Sequence, residues 1–263
     1  MATGRLPDAL STGEPVWGGW VVGPTAMGPE EFAAAGYDYV GFDVQHGYLS
    51  DADVAQMLRR LEHVPIATVV RLPAVDAAPI GRVLDAGADG VIVAMVETAE
   101  QAAAAVAATR YPPSGVRSFG PLRTTMGFDP AELQARAAVF AMIETTTGWA
   151  AIDEICAVPG LTGTYVGPAD LAISMGHPPL RALTEPQVRD AIRDIARRTA
   201  AAGLISGIHA GTGAHGSSLR QEGFQMITLA SESQALRRGA TAHLHEARGD
   251  APPAAVDAPG GYR

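Results

Sequence analysis

Residues 39–61 read Tyr-Val-Gly-Phe-Asp-Val-Gln-His-Gly-Tyr-Leu-Ser-Asp-Ala-Asp-Val-Ala-Gln-Met-Leu-Arg-Arg-Leu. The first five form a short β-prone run that stops at an aspartate, the pattern of a buried strand. A polar loop follows, and then Ser50 precedes Asp51-Ala52-Asp53 in the manner of a helix N-terminus, so that Asp51–Leu61 predicts a helix. The same unit recurs along the chain. Strands are predicted at Val16–Val22, Tyr39–Asp43, Ile66–Arg71, Gly90–Ala94, Val139–Glu144, Gly163–Val166, Leu204–Ile208 and Gln225–Leu229. Helices are predicted at Pro29–Ala35, Asp51–Leu61, Pro79–Ala86, Thr98–Thr109, Trp149–Ala157, Glu185–Ala202 and Gly216–Glu222, with Gly87 and Gly203 just past two of their C-termini. Eight strands alternating with helices through a chain of 263 residues predict an α/β fold of one domain, a (β/α)8 TIM barrel. No GxGxxG follows the first strand, which argues against a doubly wound dinucleotide fold.

The ends differ from the middle. Residues 1–14 read as a flexible polar leader, 15–247 as the barrel domain closing in a C-terminal helical segment, and 248–263 as a disordered tail of Ala, Pro, Gly and Asp. The longest interruption, Tyr111–Gln134, is rich in Pro, Gly and Arg; a connection of that length in a compact domain is usually functional or part of an interface.

Composition excludes whole classes of chemistry. All 19 basic residues are arginine, against 28 acids, for a formal charge of −9. Without a lysine the chain has no Schiff-base aldolase mechanism, no pyridoxal-phosphate anchor and no phosphate-loop lysine. An acidic balance without a basic patch argues against nucleic acid. No apolar run approaches the roughly 18 residues of a membrane helix, and no signal peptide is visible. The single cysteine, Cys156, suits a reducing cytoplasm and reads as a small buried apolar residue rather than a nucleophile.

A barrel enzyme places its chemistry at the C-terminal ends of its strands. Those positions here are Asp43 to Gly47, Arg71, Glu144, Gly167-Pro168-Ala169-Asp170, His209 and Ala230-Ser231-Glu232. Glu144 and Asp170 end successive strands, so they stand side by side on one rim. Two adjacent carboxylates repel unless they share a proton or a cation, and a hard divalent ion with positions left for water and substrate is one solution; a capping or surface pair is the other. Arg71 ends an otherwise apolar strand, where it either grips a carboxylate or phosphate or pairs with a neighbouring acid such as Asp170 or Glu144. His46, three residues after Asp43 and beside flexible Gly47, is the candidate proton carrier among the histidines, and a nearby carboxylate could orient its ring. His209 is a second candidate for touching substrate. His63, His177, His215, His243 and His245 read as surface or packing residues.

Metal, arginine and histidine together suit a 2-oxo acid. Its carboxylate and keto oxygen would chelate the ion while Arg71 neutralises charge building on the oxygen, and loss of a proton from the adjacent carbon gives an enolate that the cation stabilises.

Five ordered segments then carry a resemblance: Gly36-Tyr-Asp-Tyr-Val-Gly-Phe-Asp-Val-Gln-His46, Val70-Arg71, Val83-Leu-Asp85-Ala-Gly-Ala, Arg110-Tyr-Pro-Pro-Ser-Gly-Val-Arg117 and Val166-Gly-Pro-Ala-Asp170-Leu. Over roughly Pro15 to Ala240 the chain resembles the HpcH/HpaI aldolases, metal-dependent class II pyruvate aldolases of the phosphoenolpyruvate/pyruvate barrel superfamily. The resemblance implies reversible cleavage of a 4-hydroxy-2-oxo acid to pyruvate, or a related oxo acid, and an aldehyde. It implies Glu144 and Asp170 as ligands of a divalent cation (Mg²⁺, Mn²⁺ or Co²⁺, with Zn²⁺ also accommodated), His46 as base and Arg71 as oxyanion stabiliser. It further implies that Asp85 raises the basicity of His46, that Asp43 supports the His46 loop, and that the Gly167-Pro168-Ala169-Asp170 turn contacts the oxo-acid carboxylate. Residue by residue, Asp85 reads only as a surface acid at a helix C-terminus. A homo-oligomer is implied too, a hexamer built as a trimer of dimers with exchanged C-terminal helices.

Two positions depart from the family pattern. Gln45 stands where members commonly carry Glu before the histidine, and Met142 where they carry Gln two residues before the metal glutamate. Three readings are therefore compared: the aldolase; an oxo-acid decarboxylase or citrate-lyase-like thioester lyase working through the same enolate; and a barrel that has lost catalysis and serves assembly or binding.

Overall fold

The computed structural model describes residues 5–250. Its strands are β1 (Val16–Val21), β2 (Tyr39–Asp43), β3 (Ala67–Leu72), β4 (Gly90–Val93), β5 (Ala138–Ile143), β6 (Gly163–Val166), β7 (Ile205–His209) and β8 (Met226–Ser231). Each runs parallel to the next and β8 returns to β1, closing the (β/α)8 barrel. The helices are α1 (Leu6–Leu10), α2 (Met27–Ala34), α3 (Asp51–Arg60), α4 (Ala77–Asp85), α5 (Ala99–Thr109), α6 (Pro130–Ala135), α7 (Thr146–Ala150), α8 (Ile152–Cys156), α9 (Pro168–Ser174), α10 (Pro186–Ala201), α11 (Gly213–Gln221) and α12 (Glu232–Arg248). None is long and apolar enough to cross a membrane.

Local chemistry starts these helices where the sequence says. Ser50 Oγ accepts from the Asp53 backbone N–H at 3.3 Å, and the Asp53 carboxylate accepts from the Ser50 N–H at 2.9 Å. This reciprocal pair satisfies donors that a helix start leaves open. The same capping box opens α5 (Thr98 with Gln101) and α12 (Ser231 with Gln234).

Strand parity positions everything that matters later. Successive side chains alternate faces, so Val91, Val93, Val139, Ile143, Val166 and Ile208 pack outward under the helices. Trp20, Tyr39, Ala67, Val69, Phe140, Met142 and Tyr165 fill the barrel. Space inside is tight. The Trp20 ring lies against the Cα of Gly41, where a side chain would overlap it, and the Tyr39 ring meets Gly18 in the same way. Across the centre, the hydroxyls of Tyr39 and Tyr165 both meet Thr228 Oγ1, at 2.8 and 2.6 Å. Buried polar groups are thereby satisfied, and they form a solid floor beneath the C-terminal mouth.

Three departures from the sequence reading have physical causes. Residues 6–10, expected within a flexible leader, form α1, whose Leu6 and Leu10 are buried in the same cluster as Val16, Ala67 and Ala138 and so cap the N-terminal end of the barrel. The predicted helix over 149–157 is two helices, α7 and α8, which break at Ala151 (φ −88°, ψ 9°). Two short helices, α6 and α9, were not predicted. Both start on a proline at the first helical position, as Asp129-Pro130 and Gly167-Pro168, which is a recognised helix start. The predicted disordered tail lies outside the described residues from 251 onward; residues 232–248 form the C-terminal helix, α12.

Candidate active site

The inward residues at the strand tops converge on the mouth. Asp43, last in β2, is fully buried and is the hub. Its Oδ1 accepts from Arg71 Nε at 3.0 Å and from the backbone N–H groups of Gln45 and His46 at 3.1 and 3.0 Å. Its Oδ2 accepts from Arg71 Nη2 at 2.5 Å and from Trp20 Nε1 at 3.1 Å. Burial pushes this carboxyl up, but the charge and hydrogen bonds of Arg71, with the His46 N–H and Trp20, outweigh it and hold the group below the ordinary carboxylate range. Among the described residues the carboxylate that Arg71 bonds is thus Asp43, while Arg71 acts on Glu144 through its charge. The bidentate pair fixes the guanidinium plane, and the same carboxylate fixes the turn that carries His46. Arg71 is 3% exposed and lies with Cζ 5.4 Å from the centre of the Trp20 ring. His46 itself is exposed at the rim.

Glu144 follows β5 and is 1% exposed. Its Oε1 accepts from the Met95 N–H at 2.8 Å. Its Oε2 is buried with no hydrogen-bond partner among the described residues. Burial above all lifts this carboxyl to about 7, opposed by the Met95 N–H and reinforced by the charge of Asp170. Asp170 lies in the first turn of α9, after the Gly167-Pro168-Ala169 corner, and is partly buried. Glycine at 167 leaves room for the acid: a Cβ would come within 2.5 Å of Glu144 Oε2, 2.7 Å of Met142 Cε and 2.9 Å of Glu144 Cβ, so both side chains would have to shift. Among the described residues no cluster of three or more His, Cys, Asp or Glu side chains stands ready to hold a metal ion. A buried, unsatisfied carboxylate oxygen beside a second carboxylate is nevertheless a donor set that fits a hard divalent cation whose other positions go to water and substrate.

The donor to Glu144 is itself unusual. Met95 has φ 56°, in the left-handed region that costs most side chains roughly 1–2 kcal/mol. That twist aims its N–H at Glu144. Its side chain is 43% exposed, so Met95→Gly should retain activity and raise stability by up to about 1 kcal/mol once the glycine entropy cost is subtracted. Met95→Pro should remove the donor and weaken the site. Thermal unfolding and turnover of the two variants check this pair of outcomes.

His209, last in β7, also points inward. Its ring stands edge-on to Trp20 (centroids 5.5 Å apart, 85° between planes), and its Nε2 is buried without a hydrogen-bond partner among the described residues. Burial first, and Arg71 second, drive its pKa down to about 4 against the pull of Asp43, so the ring is neutral at working pH.

Asp85 is not brought to His46 within this chain. Each helix of a βα unit runs back down the barrel, so the last residue of α4 stands about 13 Å below its start. There Asp85 Oδ1 accepts from Arg117 Nη2 at 2.6 Å, bordering a groove of about 400 Å³ lined by Gly81, Arg82, Ser118 and Leu122 among others. Arg117 is 2% exposed and stacks on Tyr111, with Cζ 4.8 Å from the ring centre. The long Pro/Arg connection therefore folds back over α4. The free cysteine, Cys156, is buried and its thiol is pushed up mainly by that burial, which suits packing rather than attack.

A parallel barrel whose mouth joins a fixed arginine, a rim histidine and a buried acidic pair has the layout of a barrel enzyme, with its polar groups gathered at the C-terminal ends of the strands. Comparison with known proteins gives the family. The HpcH/HpaI aldolase/citrate lyase family matches residues 17–239, and the chain belongs to it. It is 38% identical over 247 residues to a hydroxypyruvate/pyruvate aldolase of Rhizorhabdus wittichii, covering 93% of this chain and 98% of that protein. It is 32% identical to a 2-dehydro-3,6-dideoxy-6-sulfogluconate aldolase of Pseudomonas putida, over 91% and 95% of the two chains. The crystal structure of an HpcH/HpaI aldolase/citrate lyase family protein from Burkholderia cenocepacia superposes with a TM-score of 0.83 at 33% identity, covering 89% of this chain and 95% of that one. Its relatives are aldolases, and the chain is an aldolase-type carbon–carbon lyase. Its family works with a divalent metal ion.

Proposed function

We propose that the mouth cleaves 4-hydroxy-2-oxo acids reversibly, with the roles assigned as follows. Glu144 and Asp170 hold a divalent cation, for which Mg²⁺, Mn²⁺ and Co²⁺ are the first choices and Zn²⁺ a further one. When bound, the ion supplies Lewis acidity to the oxo acid. Arg71, locked by Asp43, presents its charge to the keto oxygen as negative charge develops there, without reorganising during the reaction. His46, on a turn held by the same aspartate, carries the proton: in cleavage it takes the proton of the C4 hydroxyl as the C3–C4 bond breaks and gives one to C3, and in condensation it takes a proton from C3 and gives one to the C4 oxygen as that bond forms. The Gly167-Pro168-Ala169-Asp170 turn receives the substrate carboxylate, because the first N–H groups of a helix have no acceptor within the helix. The observation that carries this reading is the unsatisfied Oε2 of Glu144 beside Asp170, at a mouth where Arg71 is already fixed.

Any action of Asp85 on His46 requires a second copy of the chain. Two surfaces suit such an assembly: Phe119, Leu122 and Phe128 are 50, 65 and 63% exposed on the long connection, and α12 buries none of its side chains while Leu236 is 75% exposed. Exposed apolar residues grouped on a surface mark contact sites. The working form is accordingly a homo-oligomer, for which a hexamer is the expected size. The free Cys156 thiol suits the cytoplasm.

His46→Ala tests the assignment. It should slow exchange of pyruvate methyl protons with solvent by on the order of 10²-fold or more, while metal-dependent pyruvate binding, read by calorimetry, stays near the wild-type value. Unchanged exchange would remove His46 from the role of base.

A further inference from the structure

We infer that His209 is a substrate-recognition residue: its imidazole hydrogen-bonds a hydroxyl at C3 of a 3-hydroxy-2-oxo acid seated between Arg71 and the Glu144–Asp170 pair. The inference rests on the reading of the mouth given above and adds to it a residue that distinguishes a hydroxylated donor from pyruvate.

Parity gives the direction. Ile208 packs outward beneath the helices, so His209 projects into the barrel mouth, level with Thr228 of β8. Its ring is partly buried, and Nε2 has no acceptor or donor opposite it among the described residues. An unsatisfied buried nitrogen costs roughly 1–3 kcal/mol. On the floor beneath it the polar groups are paired, Tyr39 and Tyr165 each with Thr228, and Asp43 bonds Arg71, Trp20 and two backbone N–H groups. The other buried side-chain atoms left open around the mouth are Glu144 Oε2, Gln45 Oε1 and Glu232 Oε2. A polar chamber with open valences is built for a polar ligand.

The chemistry of the imidazole selects which ligand group. Burial and the neighbouring Arg71 keep it uncharged. A neutral imidazole has one N–H and one lone pair, so it matches a hydroxyl, which both gives and accepts. A carboxylate would instead draw a cation, and Arg71 already supplies one. With the oxygens on C1 and C2 taken by the acidic pair's ion and Arg71, the substituent on C3 is the one left to reach the flank that β7 forms. Pyruvate carries only a methyl there, and would leave Nε2 unsatisfied.

The test compares 3-hydroxypyruvate with pyruvate in the Mg²⁺-loaded protein, reading kcat/KM for exchange of C3 protons with solvent deuterium, which needs no aldehyde. His209→Leu should lower the value for hydroxypyruvate about tenfold more than that for pyruvate, and His209→Gln, which keeps a donor and an acceptor, should recover part of the difference. In the unaltered protein carrying ¹⁵N-labelled histidine, the His209 ring nitrogens should shift on adding hydroxypyruvate and not on adding pyruvate. Equal losses for both donors in His209→Leu, or ¹⁵N signals that do not distinguish them, would overturn the role of His209 while leaving the aldolase site standing. A wild-type protein that exchanges neither donor would overturn both.

Discussion

Asp43→Ala is expected to lower kcat/KM by on the order of 10²–10³-fold and to cost about 3–5 kcal/mol of stability. Five donors converge on this one buried carboxylate, two of them from Arg71. Removing it leaves the guanidinium buried without its counter-charge, which is the costly way to break an ion pair. It also frees the turn that carries His46, so two groups lose their placement at once. Asp43→Asn should fall between, because the amide presents N–H groups to donors already there. A paired change separates the two effects: Asp43→Leu with Arg71→Met removes both charges, and should recover much of the stability and none of the activity. Urea unfolding alongside kcat/KM measures both. Wild-type turnover in Asp43→Ala would show that Arg71 needs no orientation by its neighbour.

Glu144→Gln is expected to abolish metal-dependent activity and yet to make the metal-free protein more stable at alkaline pH. The sign follows from the raised carboxyl. Its ordinary value is 4.5 and the fold lifts it to about 7, so its contribution to stability is complete below 4.5 and is lost as pH rises through 7. The difference corresponds to about 3 kcal/mol. Glutamine does not titrate, so the metal-free variant should melt above the metal-free wild type at pH 8 and close to it at pH 4.5. Adding Mg²⁺ should reverse the order at pH 8, by stabilising the wild type alone. Thermal melts at the two pH values, with and without metal, test this. A variant that melts lower than the wild type at pH 8 without metal would mean that Glu144 is held by partners other than a cation.

The barrel was legible because its signal is local. Each β-prone run reads from its own composition, and parity then carries Asp43, Arg71, Glu144 and His209 to the same mouth without any long-range information. Less legible was what one strand top does to another. The sequence offered Glu144 or Asp170 as partner to Arg71, but Asp43 lies on the adjacent strand in direct register with it, a relation that only the sheet register fixes. Helix α9, which sets Asp170 beside Glu144, was hidden in a seven-residue segment too short for periodicity, although Pro168 at its first position was a usable sign. The leader misled for a similar reason: Leu6 and Leu10 are a single apolar pair in a polar stretch, and they become core only because the open end of a barrel has to be covered. Asp85 marks the other limit. Its motif was visible through the family resemblance, but the descent of α4 moves it to the far end of the unit, against Arg117.

The claim that two carboxylates, an oriented arginine and a rim histidine make a metal-assisted oxo-acid site is tested most directly by deuterium uptake into the methyl group of pyruvate. The protein is stripped with a chelator, then resupplied in turn with Mg²⁺, Mn²⁺ and Co²⁺. We predict no uptake above background in the stripped protein and recovery with metal, followed by cleavage of a 4-hydroxy-2-oxo acid under the same conditions. Full uptake in the stripped protein would contradict the account.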